Sequence, residues 1–244
     1  MDLTPAPGSR RFETTRWTLV LAAGGADTAQ ARQALDDLCR IYWPPLYAFV
    51  RRRGHSVADA QDSTQEFFAR LLERRDLVRV DPAKGRFRSY LLASMTHFLA
   101  NEWDRARAQK RGGGAAHLSI DAGQAEAWYL REVADVLTPE RVFERRWALS
   151  LLNDVLAGLQ REYAAAGKDA LFRELKGALS GEVPIANYAA VGARLGLSEG
   201  AVKVAAHRLR VRYRERLRTE VARTVEQPEE IDEELRFLLA AVGS

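Results

Sequence analysis

The 244-residue chain has one cysteine, Cys39. A single thiol excludes an intramolecular disulfide and a multi-cysteine metal site, and it suits a reducing compartment. No apolar run approaches the roughly 18 residues of a membrane-crossing helix. Residues Met1 to Gly8 have neither a basic n-region nor a long apolar stretch, so no secretory leader is expected there. The expectation is a cytoplasmic protein without membrane insertion. No segment alternates with period two for long enough to suggest a sheet, and no repeat of about 20–50 residues is visible. Gly112-Gly113-Gly114 lacks a following Lys-Ser/Thr and is no phosphate loop. Glu-x-x-His does not occur, so Asp59, Asp62 and Glu66 belong to no recognisable metal motif. No cofactor, metal site or catalytic residue is expected, which sets an enzyme aside.

Helical periodicity is what the chain does have. The apolar fraction is 47% and the charged fraction 29%, an ordinary globular balance. Lys and Arg number 37 against 33 Asp and Glu, an excess of +4 that matters only where it is clustered. Residues 1–14 hold Pro5, Pro7 and Gly8 without periodicity and read as disordered. From Thr15 the pattern is helical. Leu35, Leu38, Tyr42 and Leu46 share one stripe, and Pro44-Pro45 is expected to end one helix and open the next. Gly54 closes the second. Ala60, Thr64, Phe67, Phe68, Leu71 and Leu72 mark another helix, residues 76–86 a loop, and Phe87 to Arg107 a further helix with Tyr90, Leu91, Ser94, Phe98 and Leu99 inward. The three glycines open an acidic connector, 112–138. Thr138 followed by Pro139 is an N-cap with proline at the first helical position. Trp147, Leu151, Leu152, Val155 and Leu159 continue that helix, and another is expected over about 169–179. The fold class is all-α, with two helical domains at 15–111 and 139–225 and an acidic tail at 226–244.

Near the end, Ala186 to Leu195, then Gly196-Leu197-Ser198, then Glu199 to Arg218 read as helix, three-residue turn, helix. Gly196 can take the left-handed conformation and Ser198 can cap. Val202, Ala205, Ala206, Leu209, Tyr213 and Leu217 form the inner stripe of the second helix. Lys203, Val204, His207 and Arg208 face outward near its start, where side chains reach base edges in a major groove. Arg210, Arg212, Arg214, Arg216 and Arg218 follow, suited to phosphates. A solvated basic helix is the plain alternative for such a run; the turn and cap in register favour DNA binding.

Tyr42 to Val50 and Val57-Ala-Asp-Ala-Gln-Asp-Ser-Thr-Gln-Glu-Phe-Phe-Ala-Arg-Leu-Leu72 resemble region two of the sigma-70 family, in particular its small extracytoplasmic-function (ECF) group. Phe87 to Leu92 and the helix leading to the basic stretch Arg105–Arg111 resemble the end of that region, and Ala186 to Leu217 resembles region four. The resemblance implies a sigma factor that binds core RNA polymerase and promoter DNA. It implies polymerase binding by Asp59, Asp62, Gln65 and Glu66, for which a solvated acidic helix start is the alternative. It implies promoter melting and minus-ten contacts by Arg79, Lys84, Arg86, Phe87, Arg88, Trp103 and Arg105, while Tyr90 and Phe98 fit the apolar stripe and are expected in the core. Minus-thirty-five contacts fall to Lys203, Val204, His207, Arg208, Arg210 and Arg214. The connector would thread toward the polymerase's nucleic-acid channels or be an ordinary linker.

Two features depart from the family pattern: the long segment between Leu159 and Pro184, and the tail, whose formal charge is −5. Ile231, Leu235, Leu238 and Leu239 share a helical face, so the tail can dock and compete for arginines, or simply cover apolar surface. A stand-alone helix-turn-helix repressor or activator is the competing class, but it leaves the acidic helix and the aromatic-basic loop unexplained. Whether an anti-sigma factor or other regulator exists is left open.

Overall fold

In a computed structural model, the structure describes residues 29–73, 85–108, 122–132, 137–179, 188–225 and 227–243. Among them there is no strand, and the fold is all-α. The helices are α1 (Ala29–Arg52), α2 (Val57–Glu73), α3 (Phe87–Ala108), α4 (Ala122–Glu132), α5 (Pro139–Ala165), α6 (Asp169–Leu175), α7 (Tyr188–Leu195), α8 (Glu199–Ala222) and α9 (Ile231–Gly243). The expected helix from Thr15 and most of the loop over 76–86 lie outside the described residues.

Helix α1 corrects the reading of Pro44-Pro45, because both prolines sit inside one continuous helix. An interior proline costs about 3 kcal/mol through a lost hydrogen bond and a ring clash. Burial on both sides of the pair opposes that cost. Trp43, Leu46 and Tyr47 are fully buried, and Trp43 stacks on Tyr47 at 5.0 Å with an interplanar angle of 8°. Positions 43 and 47 meet one helical turn apart, so a break at the prolines would separate the stack. Helix α1 ends as expected at Gly54, whose φ is +92°.

Helices α1, α2 and α3 bury Leu38, Tyr42, Phe49, Phe67, Phe68, Leu91, Met95 and Phe98 in one core. Phe143, Trp147, Leu151 and Val155 of α5 belong to the same core, as do Leu217 and Val221 of α8 and Leu238 of α9. The far half of α5 builds a second core: Leu159 packs with Phe172, Leu175, Tyr188, Val191, Val202, Ala206 and Leu209. At 1.5 Å per residue the 27 residues of α5 span about 40 Å, enough to serve both. It starts as its sequence suggests, with Thr138 accepting a hydrogen bond from the Arg141 amide at 3.3 Å.

The connector is helical over Ala122–Glu132. In α4, Glu126 accepts from the Tyr47 hydroxyl at 2.5 Å and from Arg51 Nε and Nη2, both at 2.9 Å. Arg51 also lies 5.1 Å over the Tyr129 ring. Arg52 Nε donates to the Leu137 carbonyl at 2.6 Å, pinning the connector's end. The Arg51 guanidinium is the main cause that holds the Glu126 carboxyl below its ordinary 4.5. A depressed carboxylate pKa contributes stability above its unfolded value, and loses it as pH falls through the folded value. Acidification below about pH 4.5 is therefore expected to release α4 from α1 before the cores unfold. Amide exchange over 122–132 reads this directly. Glu126→Gln should show fast exchange of α4 already at neutral pH.

Candidate functional site

The second core carries two helices joined by a three-residue turn. Gly196 has φ +65°, and the Leu197 amide donates back to the Gly192 carbonyl at 2.9 Å. Ser198 accepts from the Ala201 amide at 3.2 Å and caps α8. Val202, Ala206 and Leu209 are fully buried and Leu217 nearly so, with Ala205 and Tyr213 half-buried beside them. The inner stripe is the one the periodicity indicates. Gly192 sits where the two helices approach, since a Cβ there would lie 2.5 Å from the Leu197 carbonyl oxygen.

The opposite face of α8 is open. Lys203, Val204, His207 and Arg208 are exposed near its N-terminal end, and Arg214 is exposed two turns further on. Val204, at 51% exposure, gives this face an apolar contact point among cations. Lys203 pairs with Glu199 at 2.6 Å on the surface, a pair that exchanges readily for a solvent or ligand partner. An open groove beside this face is walled by Tyr163, Leu171, Val204 and Val211.

Other arginines of α8 turn inward or sideways. Arg210 donates to the Ala178 carbonyl at 3.2 Å and to the Tyr188 hydroxyl at 3.1 Å, so in this conformation it turns away from the exposed face. Arg212 and Arg216 both grip Glu162 of α5, at 2.9 Å and 2.7 Å. Arg212 is the leading cause that keeps the Glu162 carboxyl below its usual range. The long segment between Leu159 and Pro184 thus has a packing role: Phe172 and Leu175 of α6 fill the second core, and Glu174 pairs with Arg194 at 2.5 Å.

On the first core, Asp59 and Asp62 of α2 are exposed, with Gln65 and Glu66 half-buried. Ser56 Oγ accepts from the Asp59 amide at 3.1 Å and donates to its carboxylate at 2.7 Å, so Asp59 helps to start the helix. Glu66 pairs with Arg70, which also reaches Glu102 at 2.7 Å and lies 5.0 Å over the Phe98 ring. Spaced at i, i+3 and i+7 on α2, Asp59, Asp62 and Glu66 share a face, on which both aspartates are exposed.

The start of α3 differs most from expectation. Phe87 is 4% exposed and meets Tyr42 edge-on at 5.3 Å, so its ring is enclosed rather than offered for stacking. Arg88 is 7% exposed, lies 4.6 Å from the Trp147 ring and 4.3 Å from the Phe237 ring, and is held by both carboxylate oxygens of Glu234. Arg86 Nε meets the same carboxylate at 2.9 Å. In this conformation apolar burial and a carboxylate enclose both Phe87 and Arg88. Arg79 and Lys84 lie outside the described residues. Trp103 and Arg105 fall on α3, but their side chains are outside them as well.

Two pairings escaped the sequence reading: Glu126 with Arg51, and Glu234 with Arg86 and Arg88. The second left a trace, since Glu234 interrupts the apolar stripe Ile231, Leu235, Leu238. Leu239, expected on that stripe, is 60% exposed.

Residues 38–109 match the family model described as sigma-70 region 2. The matched stretch runs from the middle of α1 through α3. It supports the sigma-70 family, whose members are non-enzymatic transcription initiation factors that act with RNA polymerase at promoters. Neither a curated protein nor a solved structure gives a significant match to the chain. Among the described residues, no helix is long and apolar enough to cross a membrane, and no group of His, Cys, Asp or Glu could hold a metal ion.

The turn geometry gives a paired expectation. Gly192→Ala should lower the stability of the second core by about 1–3 kcal/mol, because the intruding methyl meets backbone. Gly200→Ala, where nothing lies within 4 Å, should raise it by up to about 1 kcal/mol. Urea denaturation followed by circular dichroism separates the two.

Proposed function

We propose that the chain is a sigma factor of the ECF type, which binds core RNA polymerase and directs it to specific promoters. The observation that carries this reading is the sigma-70 region 2 match, in a chain whose second half presents a capped basic helix on a three-residue turn. That half acts as a region 4-like helix-turn-helix. Lys203, Val204, His207 and Arg208 read the minus-thirty-five element, and Arg214 holds a phosphate. The acidic face of α2, with Asp59, Asp62, Gln65 and Glu66, docks on core polymerase. Its open carboxylates suit a basic partner, and its opposite side is fixed by Phe67, Phe68 and Leu71. The stretch before α3, with Arg79, Lys84 and Arg86, and the end of α3, with Trp103 and Arg105, engage the minus-ten element. Work of this kind belongs in the cytoplasm. A stand-alone repressor or activator would leave the region 2 match without a task.

Co-purification tests the reading. The chain should form a stable complex with core polymerase and give discrete start sites on some genomic fragments; failure to bind core polymerase overturns it. Within the second half, Arg208→Ala should lose about 1–3 kcal/mol at one base position if its contact is bidentate. Arg214→Ala should weaken all sequences alike and reduce the salt slope by about one. Equal, sequence-independent losses for both variants would remove Arg208 from the reading face.

A further inference from the structure

The C-terminal helix α9 reaches across the molecule to the start of α3. Glu234 is fully buried, yet it lies in the most acidic stretch of the chain. Its carboxylate takes Arg88 on both oxygens, Arg86 Nε at 2.9 Å and the Thr224 hydroxyl at 3.5 Å. Around it the acidic residues of the tail meet cations from two other elements: Glu230 lies 3.9 Å from Arg86 Nη1, and Asp232 lies 2.6 Å from Arg218 of α8.

The site has more donor capacity than Glu234 uses. Arg86, Arg88, Arg223 and Thr224 line a small cavity between Tyr42, Phe87 and Trp147. Arg86 Nη1 and Arg223 Nε, both buried, have no hydrogen-bond partner there. Arg223 also pairs with Glu220 at 2.6 Å through Nη1, and Glu230 stands 3.9 Å from Arg86, but Glu234 is the fully buried carboxylate at the point where the three guanidinium groups converge. A phosphate offers more acceptor oxygens and more charge than a carboxylate, and forked guanidinium groups match it closely.

We infer that Arg86, Arg88 and Arg223 form a nucleic-acid phosphate site, which Glu234 occupies as a stand-in in the free protein. This deepens the proposed function and rests on it, because the ligand is the promoter strand beside the loop before α3. Helix α9 is then a strap that DNA must displace. Its hold has two parts. Leu238 is fully buried and Phe237 covers Arg88, so apolar packing keeps the helix seated. The acidic residues make the seat sensitive to competing anions, because a phosphate that takes the arginines removes the counter-charge that justifies burying Glu234.

The strap also couples the two halves. Glu234 ties α3 to Thr224 at the end of α8, and Asp232 ties α9 to Arg218. A strand arriving at Arg86 and Arg88 therefore loosens α8 as well. Helix α5 still joins the two cores, so what the strand releases is the packing of α9 and of the end of α8 against that frame.

The test uses the full chain, with short single-stranded and forked DNA as probes and heparin as a sequence-free polyanion. Amide exchange over 231–243 is followed with and without each probe. Bound DNA and heparin should both speed exchange in α9, while exchange in the core helices α1 and α3 stays slow. Glu234→Gln should bind forked DNA at least roughly threefold more tightly than the unaltered chain, because the competent form is more populated. Its log–log salt slope should be steeper by about one to two, as one or two more phosphates are neutralised. If Glu234→Gln fails to fold, the exchange measurement on the unaltered chain decides alone. Bound DNA with α9 fully protected overturns the inference, as does unchanged affinity in a folded Glu234→Gln. A chain that still binds core polymerase while giving either result loses the strap and keeps the sigma reading. A chain that binds neither polymerase nor DNA loses both.

Discussion

Helix α5 must bury an apolar stripe too long for either end of the protein to cover alone. Phe143, Trp147, Leu151 and Val155 require partners from α1, α3 and α9, while Leu159 requires α6, α7 and α8. Each fully buried large apolar side chain is worth about 1.5–3 kcal/mol relative to exposure. The four residues on the first core therefore form a joint that is strong in proportion to the few kcal/mol by which proteins are stable. With α5 fixed at both ends, the helices around it have little freedom. Helix α8 must cross its far half, and α9 must close over Trp147.

Carboxylates placed along this frame then divide the arginines. Glu162, Glu126 and Glu234 each hold donors from an element distant in sequence: Arg212 and Arg216, Tyr47 and Arg51, and Arg86 and Arg88. A guanidinium in such a pair is a strut; of the three sets only that of Glu234 has its carboxylate fully buried, where cutting one partner costs about 3–5 kcal/mol. Lys203, His207, Arg208 and Arg214 remain exposed and can meet a polyanion. A run of basic residues along one helix thus separates into structural and ligand-facing members by angle around the axis. Arg210 is one position away from Leu209 and serves the interior, whereas Arg208 is one position away on the other side and faces solvent.

Much of the site was legible before the fold was seen. The start of α8 announced itself through Gly196, Ser198 and the stripe Val202, Ala206, Leu209, because turn chemistry, capping and period are local properties. Thr138 with Pro139 opening α5 was readable for the same reason. Pro44-Pro45 misled the reading, because local rules assign the cost of an interior proline but cannot weigh a Trp43–Tyr47 stack. The connector misled it too, since its acidity gives no sign that Arg51 waits on α1 for Glu126.

The sequence by itself determined the all-α class, the helix boundaries set by caps and glycines, and the face of α8 that carries exposed cations. Each follows from interactions among residues within about one helical turn of one another. Only the tertiary structure decided that α5 joins two cores, that Phe87 and Arg88 are enclosed, and that Glu234 lies against the arginines at the start of α3. Arg88 and Glu234 are 146 positions apart, and their attraction is large only because Trp147 and Phe237 exclude water around them. Neither that proximity nor that exclusion is written in any local stretch of the chain.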